Sequence, residues 1–210
     1  MIPKIIHQVW IGDQSKRPTK LLNSIKDMNP GWEYKLWTED NLPELELQPL
    51  MDAIPNSYAP AVCDLIRVEL LYRYGGFYVD ADSLALEPFP DTLLENDSFT
   101  VWESEYLPFT WMANGYLAAT KGNRLMRALM DHFISLGVEQ LRNADLYRIS
   151  CITGPGALTD KVKELQYTDI QIYPSHYFIP EHYTGLGSHG RKPSYTKQLY
   201  ASTQMSEFNY

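Results

Sequence analysis

The sequence predicts an α/β fold, with helices covering both faces of a mixed sheet and a single domain over residues 1–210. Strand-like and helix-like segments alternate along the chain, which is typical of this class. The first strand, over residues 4–11 (KIIHQVWI), is mostly apolar, as expected for a sheet buried on both faces. The stretch 61–82 (AVCDLIRVELLYRYGGFYVDAD) has the pattern of a buried helix, a Gly-Gly reversal and a short strand. We expect the rest of the chain to be organised around this stretch.

The remaining elements follow from periodicity and from Pro, Gly and Asn signals. Pro18 precedes a helix over residues 19–28, and Asn123 caps the clearest amphipathic helix, over residues 123–136. The other predicted helices cover 91–95 and 156–165, and the other predicted strands cover 33–38, 99–103, 116–119 and 170–173, with 84–86 continuing the central strand. Residues 39–51 should form short helical turns at most. From residue 174 onward the chain lacks periodicity, and we expect it to wrap around the site.

Composition narrows the class of partner. Hydrophobic residues make up 44% and charged residues 21%, and the formal charge of −8 argues against a nucleic-acid backbone or an anionic membrane surface. Cys63 and Cys151 lie in apolar contexts, which favours free thiols, a reducing compartment and a cytoplasmic location. No apolar run approaches the roughly 18 residues that span a bilayer. The opening MIPKIIHQVWIG has a strand pattern without signal-peptide features.

Acidic residues and one arginine are predicted to converge within the stretch 61–82. Asp64 and Arg67 are three residues apart and therefore share one helix face. Asp80 and Asp82 end the strand on the same face as Tyr78. If the strand folds back beside the helix, Asp80 comes level with Arg67, and Asp82 with Asp64. The cluster would then lie at the carboxyl end of a buried strand, where open α/β sheets bind ligands.

The chemistry of this cluster suits a metal-bound diphosphate. Two carboxylates one residue apart are suitable ligands for Mg²⁺ or Mn²⁺. Such an ion neutralises the charge that develops on a departing phosphate. The same residues are also compatible with a solvated turn beside a surface Asp64–Arg67 pair.

Three groups of motifs carry a resemblance to a known family. Residues 2–10 are IPKIIHQVW, residues 30–37 are PGWEYKLW, and residues 64–82 combine Asp64-x-x-Arg67 with LYRYGGFYVDAD. In these motifs the chain resembles glycosyltransferase family 32, whose members share a sugar-binding DXD motif. They include fungal mannosyltransferases and bacterial polysaccharide glycosyltransferases, and the catalytic domains of the glucosylating clostridial toxins are similar. Because the likeness is best over 1–120, we expect a donor-binding half there and an acceptor side with a C-terminal wrap over 121–210.

The resemblance implies a GT-A-type, Rossmann-like fold and a retaining, metal-dependent glycosyltransferase. The donor would be a nucleotide-sugar, either a UDP-sugar or a GDP-sugar, used with Mn²⁺ or Mg²⁺, and the acceptor a glycan or another hydroxyl. Trp10 would stack on the nucleobase and Tyr78 would lie under the donor, although both would also suit a core. Asn114 would lie near the transferred sugar, or equally serve as a turn amide.

The resemblance also assigns roles to the charged cluster. Asp64 and Arg67 would grip the donor sugar and diphosphate. Asp80 would contact the ribose or the metal, and Asp82 would be the direct metal ligand. No residue stands out as a nucleophile on the far face of the sugar, so the sequence favours front-face displacement.

One departure from the family concerns the third metal ligand. Family members usually supply a late His in a Trp-ending segment, whereas residues 200–210 contain neither residue type. The candidate substitutes are Gln204, Ser206, Glu207, His176, His182 and His189. Weak metal binding without donor, or a degenerate relative, would also fit this departure.

Two other functions remain open at this stage. The run 77–84 (FYVDADSL) resembles the strand and Asp-x-Asp-x-Ser/Thr motif of haloacid-dehalogenase phosphatases, although no later acidic pair follows a strand. A non-catalytic binder of sugars or nucleotides would fit the altered C-terminal segment.

Overall fold

The computed structural model describes residues 1–55, 58–188 and 190–200. Its strands are β1 Ile5–Val9, β2 Glu33–Trp37, β3 Gly76–Val79, β4 Ser83–Ala85, β5 Ser98–Trp102, β6 Met112–Ala119, β7 Ile170–Tyr173 and β8 Thr196–Gln198. Its α-helices are α1 Thr19–Met28, α2 Gln48–Met51, α3 Ala59–Tyr74, α4 Arg124–Asn143, α5 Leu146–Thr153 and α6 Pro155–Glu164. Short 3₁₀ turns cover Gln14–Lys16, Asp91–Glu95 and Ser175–Tyr177.

The main sheet has six strands in the order β2-β1-β3-β6-β5-β7. The pairs β1–β2, β1–β3 and β5–β7 are parallel, and β6 is antiparallel to both of its neighbours. The carboxyl ends of β1, β3 and β5 therefore meet at one edge of the sheet, together with the amino end of β6. This edge is where an open α/β sheet offers space for a ligand.

Both faces of the sheet are buried, as the apolar first strand predicts. Along β3, Phe77 and Val79 pack into a core with Phe99 and Phe178, whereas Tyr78 packs into the opposite core with α3 and α4. The alternation along the central strand is therefore the predicted one. It places Asp80 on the α3 side of the sheet.

The Gly-Gly reversal connects α3 directly to β3. Gly75 and Gly76 have φ angles of 65° and 107°, which glycine adopts without strain. A Cβ at Gly76 would lie 2.8 Å from His7 Nε2, and that nitrogen is 2.8 Å from the Gly75 carbonyl oxygen. The imidazole thus occupies the space that a side chain at Gly76 would need, and the strand returns along the helix as expected.

Several predicted elements are confirmed and others are corrected. The predicted bounds of α1 and β7 are those observed. Residues 84–86 do not continue the central strand: β4 pairs with β8 in a separate two-stranded sheet, because the chain turns at 81–82. The predicted helix 123–136 ends where Gly137 adopts a φ of 72°, and helix then resumes to Asn143. Sequence periodicity predicted only residues 116–119 of β6, whereas the strand begins at Met112. It did not reveal α5 or β8. Within the described residues, no helix is long and apolar enough to cross a membrane.

Candidate active site

Arg67 is at the centre of the candidate site. Its Nη2 lies 3.2 Å from Asp64 Oδ1 and 3.2 Å from Asp80 Oδ1. The guanidinium carbon lies 4.3 Å from the ring centroid of Tyr78, and the residue is only 4% exposed. Burial lowers the pKa of Arg67, but Tyr78, Asp80 and Asp64 together raise it above its ordinary value. The predicted folding-back is confirmed, because Asp80 at the end of β3 and Asp64 on α3 both contact Arg67.

One end of this guanidinium lacks a partner among the described residues. Arg67 Nη1 is buried and makes no hydrogen bond there, although Nε donates to the Cys63 carbonyl over 3.3 Å. Leaving a buried charged donor unpaired is costly, and a phosphate oxygen is the usual complement of a guanidinium. An anionic ligand would therefore satisfy this buried donor.

Asp64 is held by three elements. Besides Arg67, its Oδ1 accepts from Asn114 Nδ2 of β6 over 2.8 Å, and its Oδ2 accepts from the Thr153 hydroxyl of α5 over 3.1 Å. Burial raises the pKa of the Asp64 carboxyl, while Arg67 and these two donors oppose that shift. The structure thus brings Asp64, Arg67, Asp80 and Asn114 together. Thr153 of α5 is a further member of the group.

Asp80 follows β3 and is held closely by its surroundings. Its amide donates to the Gly115 carbonyl over 3.0 Å, and a side chain at Gly115 would overlap Asp80 Oδ2. Its carbonyl accepts from Gln8 Nε2 over 3.2 Å, and the Tyr34 hydroxyl donates to Gln8 Oε1 over 2.8 Å. Gln8 is 0% exposed on β1, and a polar residue in a mostly apolar strand is the signal that could have revealed it.

Asp82 lies away from the position that a straight strand would give it. The strand ends at Val79, and the turn at 81–82 carries Asp82 to β8, where its Oδ1 accepts from Gln198 Nε2 over 2.7 Å. The expected alignment of Asp82 with Asp64 is therefore corrected: Asn114 and Thr153 are the polar neighbours beside Asp64.

The aromatic candidates differ in exposure. Trp10 is half-buried directly after β1 and donates from Nε1 to the Asp13 carbonyl over 3.2 Å, so it lies at the ligand edge of the sheet. Tyr78 is 1% exposed and lies beneath Arg67. In this conformation Tyr78 supports the guanidinium from the core side.

The oxygen ligands for a divalent cation are present in part. Asp80 and Asp82 supply two carboxylates of the kind that Mg²⁺ and Mn²⁺ prefer. Within the described ranges, no group of three or more His, Cys, Asp or Glu residues is arranged to hold a metal. His182 is buried, with Nδ1 2.9 Å from the Thr184 hydroxyl, and His176 is partly buried. The remaining candidates for a third ligand, His189, Gln204, Ser206 and Glu207, lie outside the described residues.

Glu103 is an acid at the same sheet edge that sequence reasoning left unassigned. It follows β5 directly, and its amide donates to the Trp111 carbonyl over 2.9 Å. Burial raises the pKa of the Glu103 carboxyl to about 7. A carboxyl with this pKa exchanges a proton near neutral pH.

The chain is similar in sequence and in fold to known glycosyltransferases. Residues 15–100 match a family described as a glycosyltransferase sugar-binding region containing a DXD motif. An inositol phosphoceramide mannosyltransferase of Schizosaccharomyces pombe is 30% identical over 57% of this chain, and the match spans only 39% of that relative. An uncharacterized glycosyltransferase of Acanthamoeba polyphaga mimivirus is 27% identical over 86% of this chain and 74% of its own length. The UDP-bound glycosyltransferase domain of the YGT toxin superposes with a TM-score of 0.56 at 12% identity, covering 82% of this chain and 79% of that domain. The resemblance and the GT-A-type fold inferred from the sequence are confirmed.

Proposed function

We propose that the protein is a retaining, metal-dependent glycosyltransferase, because residues 15–100 match a family described as a glycosyltransferase sugar-binding region containing a DXD motif. It takes a nucleotide-sugar donor and transfers the sugar to a hydroxyl of a glycan or similar acceptor. One observation carries the proposal: the buried Arg67, held between Asp64 and Asp80, has an unpartnered Nη1 among the described residues, beside the Asp80-x-Asp82 turn.

The donor is assigned by charge and by likeness. Arg67 binds a diphosphate oxygen through Nη1, because this donor is buried and has no partner in the part of the chain that the structure describes. Asp64, fixed by Asn114 and Thr153, accepts hydrogen bonds from sugar hydroxyls. Trp10 stacks on the nucleobase from the end of β1. A UDP-sugar is the first candidate, since a similar solved domain is UDP-bound.

The metal is assigned to the Asp-x-Asp turn. Asp80 and Asp82 would hold Mn²⁺ or Mg²⁺, which supplies Lewis-acid assistance to the departing diphosphate. Arg67 lies 3.2 Å from Asp80 and adds positive charge on the same side as the turn.

Front-face displacement suits the arrangement of these groups. Asp64 is the buried carboxylate nearest the arginine, and both of its oxygens are engaged by donors. A carboxylate in this state is a poor nucleophile. The acceptor therefore attacks the face from which the diphosphate leaves, and the configuration at the sugar is retained.

The two other functions are less favoured. The phosphatase interpretation needs a nucleophilic Asp80, yet Asp80 Oδ1 is paired with Arg67. The non-catalytic interpretation differs from the proposal only in turnover. The matched relatives are named as transferases, which favours an active enzyme.

Donor hydrolysis tests the proposal. The purified protein is incubated with UDP-glucose, UDP-N-acetylglucosamine or GDP-mannose, with Mn²⁺ or with EDTA. We expect Mn²⁺-dependent release of UDP or GDP, reduced about 100-fold or more in Asp82→Asn. Asp169→Asn, at an exposed ion pair with Arg124, is the matched control and should keep full activity. Binding of donor without release would favour the non-catalytic function, and release of phosphate from an aryl phosphate would favour the phosphatase.

A further inference from the structure

The C-terminal strand β8 reaches across the chain to Asp82. Gln198 Nε2 donates to Asp82 Oδ1 over 2.7 Å, and the Leu199 amide donates to the Asp82 carbonyl over 3.1 Å. This position follows from the β4–β8 ladder, in which Ser83 pairs with Gln198. One short strand therefore holds both the main chain and the side chain of Asp82.

The Gln198 amide has one orientation that suits all of its neighbours. Its Oε1 lies 2.7 Å from the Tyr116 hydroxyl and 3.0 Å from the Ser83 hydroxyl, and either hydroxyl can donate. The reverse orientation would place Oε1 against the Asp82 carboxylate, oxygen against oxygen. Tyr116 and Ser83 are 1% and 0% exposed, so little water reaches them as an alternative partner. The amide NH₂ group is thus held against the carboxylate.

Gln198 also differs from a residue that only fills space. A purely apolar contact at this position would pack against Tyr116 but would give Asp82 Oδ1 no hydrogen-bond donor from β8. The hydrogen bond instead fixes one carboxylate oxygen before any ligand arrives, which reduces the conformational freedom lost on binding. Donors that orient a ligating carboxylate typically change metal affinity about 10- to 100-fold.

We propose that Gln198 is a positioning residue that orients Asp82 for the divalent cation, with the hydroxyls of Tyr116 and Ser83 orienting Gln198 in turn. The inference rests on the proposed function, since it takes Asp82 as a metal ligand. It also gives β8 a role: the C-terminal strand completes the Asp-x-Asp turn.

Binding of Mn²⁺ tests this role without turnover. Calorimetry on the full chain, with Mn²⁺ alone and with Mn²⁺ in saturating UDP, compares wild type with Gln198→Leu. We expect the Mn²⁺ Kd to rise about 10-fold or more in the variant. The affinity for UDP in EDTA should stay within about 2-fold, because the diphosphate site at Arg67 is unchanged. Lys197→Leu, on the opposite face of β8 and half-exposed, is the matched control and should leave the Mn²⁺ Kd unchanged.

Two further variants guard against misfolding. Tyr116→Phe keeps the ring and removes one orienting hydroxyl, and Gln198→Asn shortens the donor by one methylene; both should weaken Mn²⁺ binding. A wild-type Mn²⁺ Kd in the folded variants would overturn the positioning role and leave the proposed function intact. A wild-type protein that binds no Mn²⁺, with or without UDP, would contradict the metal part of that function and the inference with it.

Discussion

At the scale of single residues, Arg67 balances the charge of the candidate site. One guanidinium faces two carboxylates, Asp64 and Asp80, each 3.2 Å from the same nitrogen. The planar guanidinium carries five N–H donors, so it can contact both carboxylates while Nη1 remains available for a ligand. A lysine ammonium is a single point charge on a flexible stem and cannot keep this division of contacts.

We therefore predict that Arg67→Lys lowers the affinity for UDP in the presence of Mn²⁺ by about 10- to 100-fold, since it loses a charge-assisted hydrogen bond worth about 1.5–3 kcal/mol. Calorimetry measures the change. Arg124→Lys, in an exposed pair with Asp169, should bind UDP as wild type does. Equal affinity in the Arg67 variant would remove the arginine from the donor site.

Local spacing reveals some residues of this site and leaves others hidden. Asp64, Arg67 and Asp80 could be placed because a helix face, a Gly-Gly reversal and a strand have known geometry. Thr153 and Gln198 could not, because they come from elements 89 and 116 residues away from their partners. No local pattern specifies a contact between such distant parts of a chain.

At the scale of elements, α3 is fixed on the side away from the site by Glu69. This carboxylate is 0% exposed, accepts from the Glu46 amide over 2.7 Å and from the Leu47 amide over 3.0 Å, and pairs with Arg73. Two backbone amides of the segment before α2 thus have their hydrogen-bond acceptor on one helix side chain. The position of α3, and with it that of Arg67, is set partly by this contact.

We predict that Glu69→Ala lowers the free energy of unfolding by about 3 kcal/mol, because two backbone N–H groups lose their acceptor and a cavity forms. Urea denaturation at neutral pH measures the loss. Glu139→Ala is the matched control: Glu139 also pairs with an arginine on a helix, but it is exposed, so the change should stay within about 0.5 kcal/mol. A similar small loss in both variants would show that the Glu69 network contributes little.

Elements bounded by Pro, Asn or Gly are well predicted, and those bounded by tertiary contacts are not. Asn29-Pro30 ends α1 where expected, and Gly137 interrupts α4 where periodicity ends. β8 has only three residues and exists because it pairs with β4, so its own sequence carries no signal. Tertiary pairing therefore explains what sequence analysis missed in the C-terminal part.

At the scale of the whole molecule, His7 links three parts of the sheet. It is 0% exposed on β1, its Nε2 lies 2.8 Å from the Gly75 carbonyl, and its Nδ1 accepts from Trp37 Nε1 over 3.0 Å. A carbonyl only accepts, so Nε2 carries the proton and Nδ1 is bare. A second proton would bind to Nδ1, and the resulting N–H would face the Trp37 Nε1–H, donor against donor. Burial, in agreement with this geometry, lowers the pKa of His7 to about 4.

This lowered pKa makes stability depend on pH in a known direction. Between pH 6.5 and pH 4 the unfolded chain protonates His7 while the folded chain does not, so acid favours unfolding. We expect His7 to cost about 2 kcal/mol of stability between pH 7 and pH 5. Glu103 acts in the opposite sense, because a carboxyl whose pKa rises to about 7 in the folded state gains stability as pH falls through 7.

The two contributions are separated by comparing variants. Urea unfolding of wild type, His7→Gln and Glu103→Gln is measured at pH 7 and pH 5. Relative to wild type, the stability at pH 5 should rise against that at pH 7 in His7→Gln and fall against it in Glu103→Gln, because each variant removes one of two opposing contributions. NMR titration of the imidazole in the folded wild type gives an independent measure and does not require the His7 variant to fold. A His7 signal that titrates near pH 6.5, or the same pH dependence of stability in His7→Gln as in wild type, would contradict a neutral histidine on β1. A titration below pH 5 would show that the Gly-Gly reversal, which aligns Asp80 with Arg67, is built around an uncharged imidazole.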